Sequence, residues 1–265
     1  MKLYKIFIRR YLTTSFFWFL PLIVLLTIGL AFFPTIIDNQ ENIQVFFNNY
    51  SKETLELLNI NSNTFTTTLG FYAYIFPILT LFGAFGASHL GLQIMLDDRL
   101  NNIQVFLLVK PLSRKEILNT KKISAITILI IENIIFNIVS IILIFSLKIN
   151  GGINLFQLLE INTSLFLLQL TFMFITMMIA SFFKKPKSLL IKSLLIIILF
   201  FILSIIEHTY PNIALKYINP FSYFNVSDII TTGKYQYRFI VASLIIVFYS
   251  NTFSLTNYES EDIKW

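Results

Sequence analysis

Cysteine is absent from this chain, which excludes a disulfide framework and any thiolate metal site. Histidine occurs twice, too seldom for a multi-histidine metal centre. No Gly-x-x-x-x-Gly-Lys-Ser/Thr stretch is present, so a nucleotide phosphate has no P-loop to sit in, and any ATP chemistry has to come from a partner. Charge is scarce too: Asp, Glu, Lys and Arg make up 13% of the 265 residues, against about 25% in a soluble domain. No Pro- or Ser-rich linker, internal repeat or soluble stretch divides the chain, so one membrane domain over residues 1–265 is expected.

What fills the chain is apolar: 56% of the residues are hydrophobic and the mean hydropathy is +0.74. Six segments approach or exceed the roughly 20 residues that a hydrocarbon core demands. They run from about 16–34, 71–96, 123–147, 163–183, 188–206 and 238–256. The expected fold class is therefore an all-α membrane protein with six transmembrane helices. The net charge of +6 suggests nucleic acid only until the charges are placed. With the N-terminus inside, Lys2, Lys5, Arg9, Arg10, Arg99, Lys110, Arg114, Lys115, Lys121, Lys122, Lys184, Lys185, Lys187, Lys192 and Lys264 all fall on the cytoplasmic side, fifteen of the twenty cations. Both termini are then cytoplasmic, the lipid bilayer is the main partner, and no nucleic acid is expected.

Residues 1–12 form an amphipathic helix on paper. Lys2, Lys5, Arg9 and Arg10 share one arc with Ile6, and Leu3, Tyr4, Phe7, Ile8, Tyr11 and Leu12 fill the other. Such a helix is expected to lie flat among the headgroups. The longest polar interval is 97–116. Leu100, Ile103 and Leu107 recur at helical spacing there, and Pro111 ends that helix. Ser113 with Glu116 three residues on forms a capping box that starts the next one. The outer loop 35–70 is acidic, with a short helix expected over 51–58. The outer loop 207–237 mixes Pro211, Pro220 and Gly233 with apolar residues and predicts short helices dipping into the outer leaflet.

Within the spans, Gly83, Ala87 and Gly91 recur every four residues and predict close helix–helix packing. Gly86-Ala87-Ser88-His89 resembles the serine motif of intramembrane rhomboid proteases. His89 stands where a Gly should follow, and His208 lies too far toward the other side to take a proton from Ser88, so protease chemistry is rejected. His89 and Glu132 fall at matching depths of roughly 10–13 Å, counting 1.5 Å per residue. They form a candidate intramembrane pair, either an interhelical clamp or a contact to cargo.

Six spans, the N-terminal helix and the helix–Pro–Ser-Arg break together resemble the permease subunit of an exporter-type ABC transporter of the ABC-two class. That family follows span two with an acidic residue, a Gly-Thr, an apolar helix, Pro-x-Ser-Arg-x-x-Ile and a Lys. Asp97 or Asp98, Pro111, Ser113, Arg114, Ile117 and Lys121 match it, with Asn102-Ile103 in place of Gly-Thr. Asn219-Pro220-Phe221 resembles the Asn-Pro-Phe that members carry before their last span.

The resemblance implies a dimer, with a second permease copy or a paralogue, standing on separate ABC ATPase subunits that hold the ATP and Mg²⁺; no cofactor is implied on this chain. It makes the N-terminal helix an elbow and 98–108 a cytoplasmic coupling helix between spans two and three. Asp98, Leu100, Ile103, Leu107, Pro111, Ser113 and Arg114 would then dock on the ATPase, with 184–192 as a second contact and 207–237 as re-entrant helices. The setting implied is a bacterial plasma membrane, and the cargo a hydrophobic or amphipathic one such as a peptide toxin or antimicrobial. The competing class is an ATP-independent secondary transporter or structural partner. A secondary transporter should show two related halves with helices broken at mid-span, and neither is seen.

Overall fold

A computed structural model describes residues 2–49, 65–100, 113–147, 154–183, 188–210, 212–226, 229–230 and 235–260. Among them all regular structure is helical, as a chain solvated by lipid requires, because only a helix satisfies every backbone amide within one segment. In order these are α1 (Lys2–Ala31), α2 (Phe33–Asp38), α3 (Gln40–Asn48), α4 (Thr68–Leu100), α5 (Arg114–Ser146), α6 (Leu155–Ala180), α7 (Leu189–Thr209), α8 (Ile213–Ile218), a 3-10 turn (Pro220–Ser222) and α9 (Tyr237–Ser260). Six stretches are long and apolar enough to cross a membrane: Leu3–Asp38, Thr68–Asp98, Arg114–Ser146, Leu155–Ala180, Leu189–Glu207 and Tyr237–Ser260.

The first span differs from the expectation. No break separates an N-terminal amphipathic helix from span one; α1 runs unbroken, and Pro21 lies inside it. Phe7, Tyr11, Ser15, Leu22, Leu26 and Leu30 make a single buried stripe at helical spacing over its whole length. Phe16, Leu20, Val24 and Ile28 make the exposed one. The apolar arc of residues 3–11 therefore packs on the bundle, where Phe7 and Tyr11 are buried, instead of facing lipid headgroups. Residues 12–15 hold no helix breaker, and the Thr13 hydroxyl bonds back to the Arg9 carbonyl (3.2 Å).

The fourth span also begins earlier than its hydropathy suggests. Asn154 caps α6 by accepting from the amides of Phe156 (3.0 Å) and Gln157 (3.4 Å), and polar Asn162 is then carried inside the helix by partners described below. The start of α5 is as expected: the Ser113 hydroxyl accepts from the Glu116 amide (3.2 Å), and the Glu116 carboxylate accepts from the Ser113 amide (2.8 Å). Short helices do form in the 207–237 interval, α8 and the 3-10 turn. The helix expected over 51–58 lies outside the described residues.

At the centre α4 packs along α6, and these two are the most deeply enclosed spans. Gly91 explains how they come so close. A Cβ there would run into the Thr176 hydroxyl and the Met173 carbonyl, and one at Gly83 would stand 2.7 Å from Leu165 Cδ1. Ala87, between them, is fully buried. Gly86 points to α1 instead, where a Cβ would stand 2.9 Å from Trp18 Cβ. By contrast α7 shows much of its surface: Leu195, Leu199, Ile202 and Ile205 are exposed.

Gly91→Ala is therefore expected to destabilise the bundle by about 1–3 kcal/mol, because the obstacle is partly backbone and cannot rotate away. Gly86→Ala should cost less, since its nearest obstacle, Trp18 Cβ at 2.9 Å, intrudes far less than the 2.1 and 2.3 Å contacts at Gly91. Thermal unfolding of the detergent-solubilised variants checks the order; equal losses would contradict this packing.

Candidate functional site at the charged end of the bundle

The end of α4 and the beginning of α5 flank residues 101–112, and an acidic and a basic side chain near these roots are not solvated. Asp98 is 2% exposed and Lys121 0%. Lys121 Nζ donates to the Asp98 carboxylate and to the Ile94 carbonyl (3.0 Å), and it lies 5.6 Å from the ring centres of both Phe7 and Tyr258. An ammonium between two aromatic faces and a carboxylate recovers part of the cost of leaving water. Tyr258 on α9 also donates to the Asp98 carboxylate (3.4 Å). Beside it, Arg10 Nε on α1 pairs with the Asp97 carboxylate at 2.5 Å. Two further contacts extend the cluster: Lys122 Nζ donates to Asn251 Oδ1 of α9 (2.7 Å), and Arg114 Nη1 to the Glu259 carbonyl (3.2 Å). Four helices, α1, α4, α5 and α9, are thus tied at the base of one segment.

A second polar system lies deeper and carries no charge. The Tyr72 hydroxyl donates to Asn162 Oδ1 (2.6 Å), and the Asn162 amide donates to Asn137 Oδ1 (3.0 Å) and Ser140 Oγ (2.7 Å). Asn133 Nδ2 donates to Gln169 Oε1 (2.6 Å). These bonds join α4, α5 and α6 and lower the cost of burying amides in an apolar interior, although Asn133 Oδ1 is left without a partner. At the opposite end of the bundle, Asn219 caps the 3-10 turn by accepting from the Phe221 amide (3.2 Å), and Phe221 stacks obliquely on Phe172 of α6 (4.8 Å). The Asn-Pro-Phe element is therefore a capped turn seated on the central helix. Next to it the Ser222 hydroxyl donates to the Glu207 carboxylate, and Tyr223 to the Tyr217 carbonyl. Burial pushes the Tyr223 phenol up to about 12, so it stays a donor at neutral pH.

Of the residues expected to dock a partner, Ile103, Leu107 and Pro111 lie outside the described residues. Leu100 is exposed, and Ser113 and Arg114 are accessible at the start of α5. Asp98 is not on the outer surface: its carboxylate is turned inward to Lys121, and it serves the cluster. His89 and Glu132 are not brought together either. No hydrogen bond or ion pair joins them, because both turn to α1. His89 packs on the Trp18 ring (6.2 Å between centres), and Glu132 faces the Ser15 side chain. Gln93 Nε2 donates to Thr14 Oγ1 (3.3 Å), so Arg10–Asp97, Thr14–Gln93 and Trp18–His89 form a regular antiparallel seam, one rung per helical turn.

Lys121 was readable in principle. Ile117, Lys121, Ser124 and Ile128 recur at helical spacing on the buried face of α5, a pattern that outweighs the habit of assigning lysines to loops. Nothing in the sequence pointed to Tyr258.

A helical bundle with six apolar spans defines a multi-pass membrane protein. The family model described as ABC-2 family transporter protein matches residues 1–258, and the chain belongs to that family. It is an ABC transporter permease, of a family that generally works with ABC ATPase partners. Among curated proteins and solved structures, none matches it.

Two outcomes follow from these contacts. Lys121→Met leaves Asp98 buried without its cation and should cost about 3–5 kcal/mol, whereas Lys121→Met with Asp98→Leu should cost less than the two singles summed. Denaturant unfolding of the purified chain measures both. In the same assay, Glu132→Ala and His89→Ala should add to within about 0.5 kcal/mol, as sites without a shared contact do. Glu132→Ala and Ser15→Ala should fall short of additivity.

Proposed function

We propose that the chain is the membrane half of an ATP-driven exporter, moving a hydrophobic or amphipathic cargo outward with ATP and Mg²⁺ bound by a separate subunit. The observation that carries this reading is the buried cluster at the roots of 101–112. A segment that transmits force from a partner needs a stiff base, and Asp98, Lys121, Arg10 and Tyr258 supply one. The Lys/Arg bias supports placing this end in the cytoplasm of a bacterial cell. The same end holds the beginning of α1 and the end of α9, which supports cytoplasmic termini.

In this reading the ATPase docks on Leu100, Ile103, Leu107, Pro111, Ser113 and Arg114. ATP-driven closure moves the base of α4 and α5, and a second permease copy or a paralogue completes the path. The predominantly apolar spans favour an amphipathic cargo, with a peptide toxin or antimicrobial as the proposed class. His89 and Glu132 each contact α1 and not each other, so neither is assigned to a clamp between spans two and three.

The purified chain alone is expected to hydrolyse no ATP and to copurify with an ATPase when expressed from its native membrane. Ile103→Asp places an unpaired charge among docking anchors and should lower partner binding by about tenfold or more, with membrane insertion intact. Unchanged assembly and unchanged transport would overturn the docking assignment.

A further inference from the structure

Residues 101–112 join α4 to α5, and Lys121 hydrogen-bonds across the two roots, to the Asp98 carboxylate and to the Ile94 carbonyl. Bonds from this single ammonium fix a distance and leave an angle free. Further contacts at the roots come from α1 and α9. From α9, Tyr258 reaches Asp98, Asn251 takes Lys122, and the Glu259 carbonyl takes Arg114. From α1, Arg10 takes Asp97. Asn251 and Glu259 stand eight residues apart, about 12 Å along the helix axis. The α9 contacts therefore grip the beginning of α5 at two separated points, while Arg10 holds the end of α4 from another helix.

We propose that Arg10, Asn251 and Tyr258 are positioning residues. Helices α1 and α9 clasp the roots of 101–112 and set the angle between α4 and α5 there. This rests on the reading of that segment as the ATPase-docking element. It assigns to the C-terminal turns of α9 a role in energy transmission distinct from crossing the membrane. The clasp is graded: the Lys121–Asp98 pair at its centre is fully enclosed, whereas the Arg10 side chain is 28% exposed and the Arg114–Glu259 contact is exposed as well, so both outer arms exchange with solvent.

The natural absence of cysteine makes the test direct. Spin labels at Leu100→Cys and Ser113→Cys, in the full chain reconstituted in liposomes, report the separation of the two roots by pulsed electron resonance. A single narrow distance distribution is expected for the otherwise unaltered chain. Tyr258→Phe with Asn251→Ala keeps the ring over Lys121 and removes the hydrogen bonds to Asp98 and Lys122. Each bond is to a charged group, so each loss should raise the unclasped population roughly tenfold and broaden the distribution.

Arg10→Asp should broaden it as well, and Arg10→Asp with Asp97→Arg should narrow it again, which a merely weakened fold would not do. Distributions left unchanged by both sets of variants would overturn the clasp. In the complex with the ATPase, the Tyr258→Phe, Asn251→Ala variant should bind its partner with unchanged affinity and lose ATP-driven cargo movement. A broadened distribution with cargo movement intact would leave the clasp standing and remove the coupling role of 101–112. Lost movement with an unchanged distribution would overturn the clasp.

Discussion

A lysine with no access to solvent, held against an aspartate between two aromatic rings, is the interaction on which the charged end of this bundle depends. Its cost is large, since both ions leave water, and lipid cannot repay it. That cost has a structural consequence. Lys121 is stable only while α1 supplies Phe7, α4 supplies Asp98 and the Ile94 carbonyl, and α9 supplies Tyr258. An apolar contact tolerates sliding, but an enclosed ion pair does not. The four helices therefore share one registration point, and it lies where the permease meets its segment 101–112.

The deeper amide network solves a different problem. Tyr72, Asn162, Asn137 and Ser140, and separately Asn133 and Gln169, fix the azimuth of α4, α5 and α6 without any charge. Hydrophobic packing does not discriminate between helix faces in lipid, where the surroundings are as apolar as the side chains. Directional bonds between amides do discriminate. Charge near the end and neutral polarity in the interior divide the work: the former fixes the end of the bundle, the latter holds the frame.

Much of the architecture was legible because it depends on one-dimensional quantities. Length and apolarity locate six spans, a capping box locates the start of α5, and Pro and Gly among apolar residues in 207–237 locate short helices. What depends on azimuth was not legible. Counting residues placed His89 and Glu132 at one depth, but depth says nothing of which way each faces, and both face α1. The N-terminal cations suggested a helix on the membrane surface, because hydropathy alone cannot weigh Arg10 against an aspartate eighty-seven positions away. Lysines near span ends were counted as solvated for the same reason: the partner that makes burial possible, Asp98, sits on another helix. Leu100, Ser113 and Arg114 stand accessible at the roots, and the remaining docking anchors fall outside the described residues.

The close approach at Gly91 bears on how this bundle can deform. Sliding α4 along α6 by one turn, about 5.4 Å, would bring Met95 to the place Gly91 occupies, against the Met173 carbonyl and the Thr176 hydroxyl. No room exists for that side chain. The two central helices are pinned lengthwise at that point, like rods joined by a rivet, and the Tyr72–Asn162 bond holds them again near Thr68. A push at Leu100 would therefore move the two as one body and not slide one past the other.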